Sequence, residues 1–268
     1  MQPISSTQNK RVRYVKSLAN KARLRRGERK LILEGDRLIA DALARGGAGE
    51  LALYSPQRAD YAVIAQLQKR GCALLAVTEA VLRHLSDTQQ PPGILAVFHI
   101  PKPPIAQPCR RVLILDGVGE PGNLGTILRS ASAAGVDLAI LAPGCCDAYS
   151  GKTLRAGMGA HFRLPIVEAN WREIADFCRG LQVYAARADA DCLHTSGDWA
   201  GDWALIVGNE AHGLSQAARR LAAHEIAIPM ARSSESLNVA SAAAVILFEA
   251  QRQRLRSDST LARASAVD

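Results

Sequence analysis

The sequence predicts an α/β protein with a C-terminal doubly wound parallel sheet and a small N-terminal α/β domain. Short apolar runs alternate with amphipathic helical segments along nearly the whole chain, which is typical of strands and helices that cover each other. The run 112–115 contains no polar residue, as in a strand buried on both faces of a parallel sheet. The chain has 268 residues, 48% of them hydrophobic, and this length allows two domains.

The first predicted domain spans residues 1–100. Apolar periodicity predicts its elements, which are strands at 30–34, 51–54, 72–77 and 94–100 and helices from Asp36 and at 61–69 and 78–85. The sequence PKPPIAQP follows, and its prolines prevent regular structure. We therefore expect a stiff linker at 101–109.

The second predicted domain spans residues 110–256. The same pattern predicts strands at 111–115, 137–142, 163–167, 182–186, 203–207 and 225–228, and helices at 124–134, from about 150, and at 171–179, 214–221 and 238–254. Residues 257–268 are polar and are predicted to form a disordered tail.

A basic segment near the N terminus predicts an RNA partner. The net charge is +8, and between Lys10 and Lys30 only Glu28 opposes the cations. Such an excess favours phosphate contacts over a merely solvated helix face. The predicted RNA-binding residues are Lys10, Arg11, Arg13, Lys16, Arg23, Arg25 and Arg26.

The sequence lacks the patterns that are typical of several other classes of protein. No apolar stretch is long enough for a membrane span and the polar start is no signal peptide, so we expect a cytoplasmic protein without membrane contact. The six cysteines form no C-x-x-C pair. Asp189, Asp191, Cys192 and His194 crowd together without a second ligand pair, so a loop is expected there and no metal.

The turn at 117–122, GVGEPG, fits the dinucleotide pattern G-x-G-x-x-G between a strand and a helix. The next strand, however, ends in Ala142-Pro143 instead of the acidic residue that would hold a ribose. A nicotinamide-linked oxidoreductase therefore stays only an alternative.

Three stretches at the carboxyl ends of predicted strands carry the functional prediction, because parallel sheets bind ligands there. They are DGVGEPGNLGTILRSA from Asp116, LIVGNEAHGLS from Leu205, and IPM from Ile228 with SLNVASAAA from Ser236. Together they resemble the three motifs of the SpoU (TrmH-like) RNA ribose 2′-O-methyltransferases of the SPOUT superfamily. The sequences NKRVRYVKSL and LILEGDRLI make the first domain similar to the substrate-binding domain of these enzymes.

The resemblance implies a C-terminal trefoil knot, S-adenosylmethionine as cofactor, and a homodimer whose two chains build each active site. It implies cofactor contacts at Gly208, Asn209, Ile228, Met230 and Leu237. It implies catalytic residues at Asn123, Arg129, Glu210, Ser236 and Asn238. The chain departs from many members at Glu120 and in the charged stretch 232–235.

The expected reaction is transfer of a methyl group to the ribose 2′-hydroxyl of a nucleotide in structured RNA, with ribosomal RNA as the expected substrate. Because the methyl of S-adenosylmethionine is already activated, the protein has mainly to hold the hydroxyl in line with it. A charged guanidinium suits Arg129 to clamping an RNA phosphate, and proton acceptance is the alternative role. Transfer RNA as substrate, and a noncatalytic RNA-binding or ribosome-assembly factor, are the alternatives for the protein.

Overall fold

A computed structural model describes residues 2–231 and 236–264. These residues form two compact units. The first unit comprises residues up to Lys102 together with Asp147–Arg163. The second comprises Pro103–Cys146 and the described residues from Leu164 onward. The charged stretch 232–235 lies outside the described residues.

The first unit has a four-stranded mixed sheet. Its elements are α1 (Lys10–Asn20), α2 (Ala22–Glu28), β1 (Lys30–Glu34), α3 (Asp36–Ala44), β2 (Gly49–Tyr54), α4 (Ala62–Lys69), β3 (Ala73–Ala76), α5 (Glu79–Leu85) and β4 (Ile94–His99). The strand order is β1-β4-β2-β3, with β4 antiparallel to both neighbours and β2 parallel to β3.

Alternating strand residues build a core on each face of this sheet. Leu31 and Leu33 pack in one cluster with residues of α3 and α4, whereas Ile32 packs in the other with α1 and α5. The first cluster also contains Leu154 and Phe162. Residues 147–163, predicted to belong to the second domain, therefore contribute to the first core.

The second unit has a seven-stranded sheet in which every described strand pair is parallel. Its elements are β5 (Arg111–Leu115), α6 (Pro121–Ala134), β6 (Leu138–Leu141), β7 (Ile166–Glu168), α8 (Trp171–Phe177), β8 (Gln182–Ala186), β9 (Cys192–Leu193), β10 (Trp203–Val207), α9 (Gln216–Leu221), β11 (His224–Ala227) and α10 (Val239–Ala264), while α7 (Gly151–Gly157) lies in the first unit. The strand order is β7-β6-β5-β10-β8-β11-β9. This confirms the predicted doubly wound parallel sheet.

Helices cover both faces of this sheet. Val112 and Ile114 pack with Ile174 of α8 and Ala218 of α9. The intervening Leu113 is equally buried and points to the other face, where α6 and α10 pack against each other. No described helix is long and apolar enough to cross a membrane.

The helix bounds that differ most from the sequence expectation are those of α6 and α10. Helix α6 begins at Pro121 instead of residue 124, because the Glu120 side chain caps it by accepting from the Asn123 amide. Helix α10 continues to Ala264, where a disordered tail was expected from residue 257. A formed helix gains one hydrogen bond for each added residue, so polar composition alone does not end it. Residues 265–268 lie outside the described part of the chain.

Candidate active site

Strands β10, β8 and β11 end at a cavity of about 440 Å³, and the first turn of α6 closes one side of it. Nine of the ten residues predicted to bind the cofactor or act in catalysis line this cavity: Asn123, Gly208, Asn209, Glu210, Ile228, Met230, Ser236, Leu237 and Asn238. Three stretches that are far apart in the sequence therefore share one site. Their individual roles stay predictions.

Asn209 joins the loops that follow β5 and β10. Its backbone exchanges two hydrogen bonds with Gly213, and its Oδ1 accepts from the Ala211 and His212 amides. Its Nδ2 donates to the Gly117 carbonyl at 2.6 Å. The side chain thus fixes its own tight loop and ties that loop to the glycine-rich turn.

Gly208 is required by the close approach of this loop. A Cβ at this position would lie 2.6 Å from the carbonyl carbon and oxygen of Gly213 and 2.9 Å from the Leu214 nitrogen. These are backbone atoms, which cannot move aside as the end of a flexible side chain can. Any larger residue would therefore open the loop that forms the cavity wall.

Glu210 binds the start of α6. Its carboxylate accepts from the Asn123 side chain at 3.0 Å and from the amides of Gly119 and Glu120 at 3.2 and 3.3 Å. Burial acts to raise the pKa of Glu210, but hydrogen bonds from Asn123 and from backbone amides outweigh it, and the pKa lies below its ordinary value. Glu210 is therefore ionised at neutral pH.

The occupied amides of Gly119 and Glu120 also bear on the dinucleotide alternative. A pyrophosphate at such a turn is held by free backbone N–H groups. Here the Glu210 carboxylate takes these donors and adds negative charge beside them. The amides of this turn thus bind a side chain of the same protein.

Asn238 completes the polar side of the cavity. Its Nδ2 donates to Asn123 Oδ1 at 3.0 Å, and its Oδ1 caps α10 by accepting from the Ala240 and Ser241 amides. The chain of contacts Asn238–Asn123–Glu210 connects all three motifs. Asn123 therefore has a defined orientation.

Arg129 lies apart from these residues. It is exposed, stands nearly two turns further along α6 than Asn123, and does not line the cavity. No described residue forms an ion pair with it. Arg129 is thus not positioned to act in the cavity of its own chain.

One predicted RNA contact is contradicted by the structure. Arg25 is only 5% exposed, because its guanidinium pairs with Asp147 and donates to the carbonyls of Leu18 and Ala19. A buried and fully engaged guanidinium cannot reach a phosphate. Of the other predicted contacts, Lys16 is half-buried and Lys10, Arg11, Arg13, Arg23 and Arg26 are exposed.

Sequence reasoning missed two parts of the site. Ala186, Arg187 and Ala188 line the cavity at the carboxyl end of β8, a position that no motif marked. Asp116, expected only to end a strand, is buried and accepts from the Ser215 amide at 2.6 Å, which ties the first motif to the second. Only the order of strands in the sheet brings residues 186–188 to the cavity, and a single sequence does not display that order.

Comparisons with known proteins agree with this geometry. Residues 110–248 match the SpoU rRNA Methylase family, and residues 9–96 match an MRM3-like substrate binding domain. The chain belongs to the SpoU rRNA methylase family.

Relatives in this family match over nearly the full chain. The 23S rRNA (guanosine(2553)-2'-O)-methyltransferase RlmP of Bacillus subtilis is 33% identical, over 92% of this chain and 98% of the relative. The human mitochondrial rRNA methyltransferase 3 is 32% identical, over 91% and 73%. The AdoMet-bound rRNA methyltransferase of Sinorhizobium meliloti superposes with a TM-score of 0.83 at 31% identity, covering 94% of this chain and 97% of that one.

Proposed function

We propose that this protein transfers the methyl group of S-adenosylmethionine to the ribose 2′-hydroxyl of a nucleotide in ribosomal RNA. The observation that carries the proposal is the convergence of the three methyltransferase motifs on one cavity through Asn238, Asn123 and Glu210. The names of the Bacillus and human relatives support ribosomal RNA over transfer RNA.

The cavity fits the cofactor in size and chemistry. Pockets for nucleoside-sized ligands hold roughly 300–1,000 Å³ and combine apolar walls with a few fixed polar groups. Here Ile226, Ile228 and Ile246 form apolar wall, and Asn123 and Asn238 are polar. When bound, S-adenosylmethionine supplies a methyl group activated by its sulfonium. The main chains of Gly208, Ile228 and Leu237 are the proposed contacts to its adenosine.

The polar residues of the cavity act by holding groups in place. Because its pKa is lowered, Glu210 is a weak proton acceptor and serves to orient Asn123 and the turn before α6. Asn123 and Ser236, which line the cavity, are the proposed hydrogen-bond partners of the ribose. Alignment of the hydroxyl with the methyl is the main contribution expected of the protein.

Arg129 is proposed to serve the cavity of a second copy in a homodimer. Its exposed position outside its own cavity supports this arrangement. On α10, Val245, Phe248 and Leu255 share one face and are 41, 47 and 56% exposed, which is unusual for large apolar side chains unless a partner covers them. The guanidinium would then clamp the phosphate beside the target ribose.

The first unit is proposed to hold the RNA. The match of residues 9–96 to a substrate binding domain supports this, as does the exposed basic face of α1. Arg13 and Lys16 of this helix, together with Lys21 and His84, line a shallow basin of about 260 Å³. Cations grouped around a concave surface favour phosphate binding.

Two further expectations stay proposals. The trefoil knot is implied by the family, and a sheet in which β10 inserts between β5 and β8 is compatible with it. A cytoplasmic location is supported by the bacterial relative, whereas other relatives are named mitochondrial.

The test uses methyl-labelled S-adenosylmethionine with unmodified ribosomal RNA and, separately, transfer RNA, followed by alkaline hydrolysis. A ribose 2′-O-methyl group protects the adjoining phosphodiester, so we expect label in alkali-stable dinucleotides from ribosomal RNA. Arg129→Ala should lower the rate roughly 100-fold, as loss of a charge-stabilising donor does, while calorimetry shows unchanged cofactor binding. Label on bases would overturn the ribose assignment, and cofactor binding without any label would favour the assembly-factor alternative.

A further inference from the structure

Arg187 is a charged residue in the cavity wall that none of the three motifs contains. It follows β8, and its amide donates to the Ile226 carbonyl of the neighbouring β11 at 2.9 Å. Its side chain is 29% exposed and lines the cavity between Ala186 and Ala188. The backbone therefore fixes its Cα at the cavity edge.

Two carboxylates fix the orientation of the guanidinium through hydrogen bonds that lie in its plane. Nε and Nη2 donate to the two oxygens of Asp189 at 2.8 and 2.6 Å, and Nη1 donates to Glu225 at 2.6 Å. These contacts fix the plane of the group and leave its flat faces as its remaining surface. The hydrogen bonds with Asp189, helped by the charge of Glu225, raise the pKa of Arg187 above its ordinary value.

The three side chains together carry one net negative charge, since two carboxylates face one guanidinium. This group does not attract the carboxylate of a ligand. A planar and neutral ligand group suits it better, because guanidinium planes stack on nucleobases.

The strand order separates Arg187 from the reacting side of the cavity. Asn123 follows β5, whereas Arg187 follows β8, two strands away in the order β5-β10-β8. At about 4.8 Å between neighbouring strands, these strand ends lie roughly 10 Å apart. The cavity lining around Arg187 also includes the apolar side chains of Ala186, Ala188 and Ile226.

We propose that Arg187, braced by Asp189 and Glu225, packs a flat face of its guanidinium against the adenine ring of the bound cofactor. It is a cofactor-binding residue that contacts the end of the cofactor remote from the methyl group. This inference rests on the proposed function, because the reacting methyl group must face Asn123 for adenine to reach Arg187.

The test measures binding of S-adenosylhomocysteine and of adenosine by calorimetry, without any turnover. Arg187→Met removes the planar group and Arg187→Lys keeps only the charge. We expect both variants to bind each ligand roughly tenfold more weakly, in line with the loss of one stacked base. Arg220→Met is the matched control, because Arg220 is exposed on α9 and does not line the cavity, and it should bind both ligands like the wild type.

The outcomes separate this inference from the proposed function. Wild-type affinity in Arg187→Met, or in Arg187→Lys, would overturn stacking by the guanidinium plane. Weaker S-adenosylhomocysteine binding with unchanged adenosine binding would also overturn it, because the contact would then lie at the amino-acid end. If the wild type binds neither ligand, the proposed function itself fails. Melting temperatures of all variants identify any loss of folding.

Discussion

The two units use charged side chains for different purposes. In the first unit, Arg25 pairs with Asp147 and Arg155 pairs with Glu34, with three of the four side chains nearly buried. In the second unit, the Glu210 carboxylate is held by amide donors at the cavity rim. The ion pairs of the first unit join residues that are 121 or 122 positions apart in the sequence. The hydrogen bonds of Glu210 instead arrange the residues around the cavity. Breaking the first type should lower stability, and disturbing the second should lower ligand affinity.

The largest effect is expected for Arg25→Ala. Removing one partner leaves the Asp147 charge buried, which costs about 3–5 kcal/mol of the free energy of unfolding. The matched control is Arg23→Ala, because Arg23 is exposed on the same helix. We expect it to leave stability unchanged, to weaken RNA binding and to flatten its salt dependence.

Far-UV circular dichroism in urea measures this loss, because all three tryptophans lie in the second unit and do not report on the first. Hydrogen exchange should place the loss in residues 147–163 and in the strands that they cover. If Arg25→Ala instead weakens RNA binding at full stability, the arginine is a contact after all and the distinction from Arg23 fails.

The next effect is expected for Gly208→Ala in the second unit. The added Cβ meets backbone atoms of Gly213 and Leu214, so the loop must open and the cavity wall shifts. We expect S-adenosylhomocysteine to bind at least roughly 100-fold more weakly in calorimetry, which is about 2.7 kcal/mol.

Gly27→Ala is the control for this substitution, because a Cβ there meets no atom within 4 Å inside a helix. It should bind normally and gain about 0.5–1 kcal/mol of stability. Unchanged affinity in Gly208→Ala would show that the loop does not form the cofactor site.

The smallest effect concerns His161 in the segment 147–163. Burial lowers the pKa of His161 from 6.5 to about 4, although a hydrogen bond with the Ala148 carbonyl and the nearby Asp147 charge oppose the shift. Between these pH values the unfolded chain binds a proton that the folded chain does not, so stability falls as the pH falls through this window. The slope contributed by His161 approaches about 1.4 kcal/mol for each pH unit.

Urea unfolding at pH 7, 6 and 5 checks this slope. His161→Gln should lose stability less steeply with falling pH than the wild type, whereas His84→Gln, at an exposed site on α5, should keep the wild-type slope. Parallel curves for His161→Gln and the wild type would mean that His161 is not held neutral.

Much of the site could be predicted from the sequence because its signals are local. Gly208 and Asn209 stand next to each other after an apolar strand, and Asn238 immediately precedes α10. Turn and cap residues depend on backbone geometry within a few positions, so their types are visible in a short window. Asn123 lines the cavity just after Glu120, the residue that caps α6.

The sequence by itself determined the α/β class, most strand and helix positions, and three stretches that line the cavity, because hydrophobic period and turn chemistry are encoded locally. Only the tertiary structure decided that Arg25 is buried, that residues 147–163 lie in the first unit, and that Arg187 lines the cavity. Each of these depends on partners elsewhere in the chain: Asp147 for Arg25, the first core for 147–163, and β10 and β11 for Arg187. A charged residue looks the same in sequence whether its partner is a phosphate, a carboxylate or water, and only the fold brings that partner within reach.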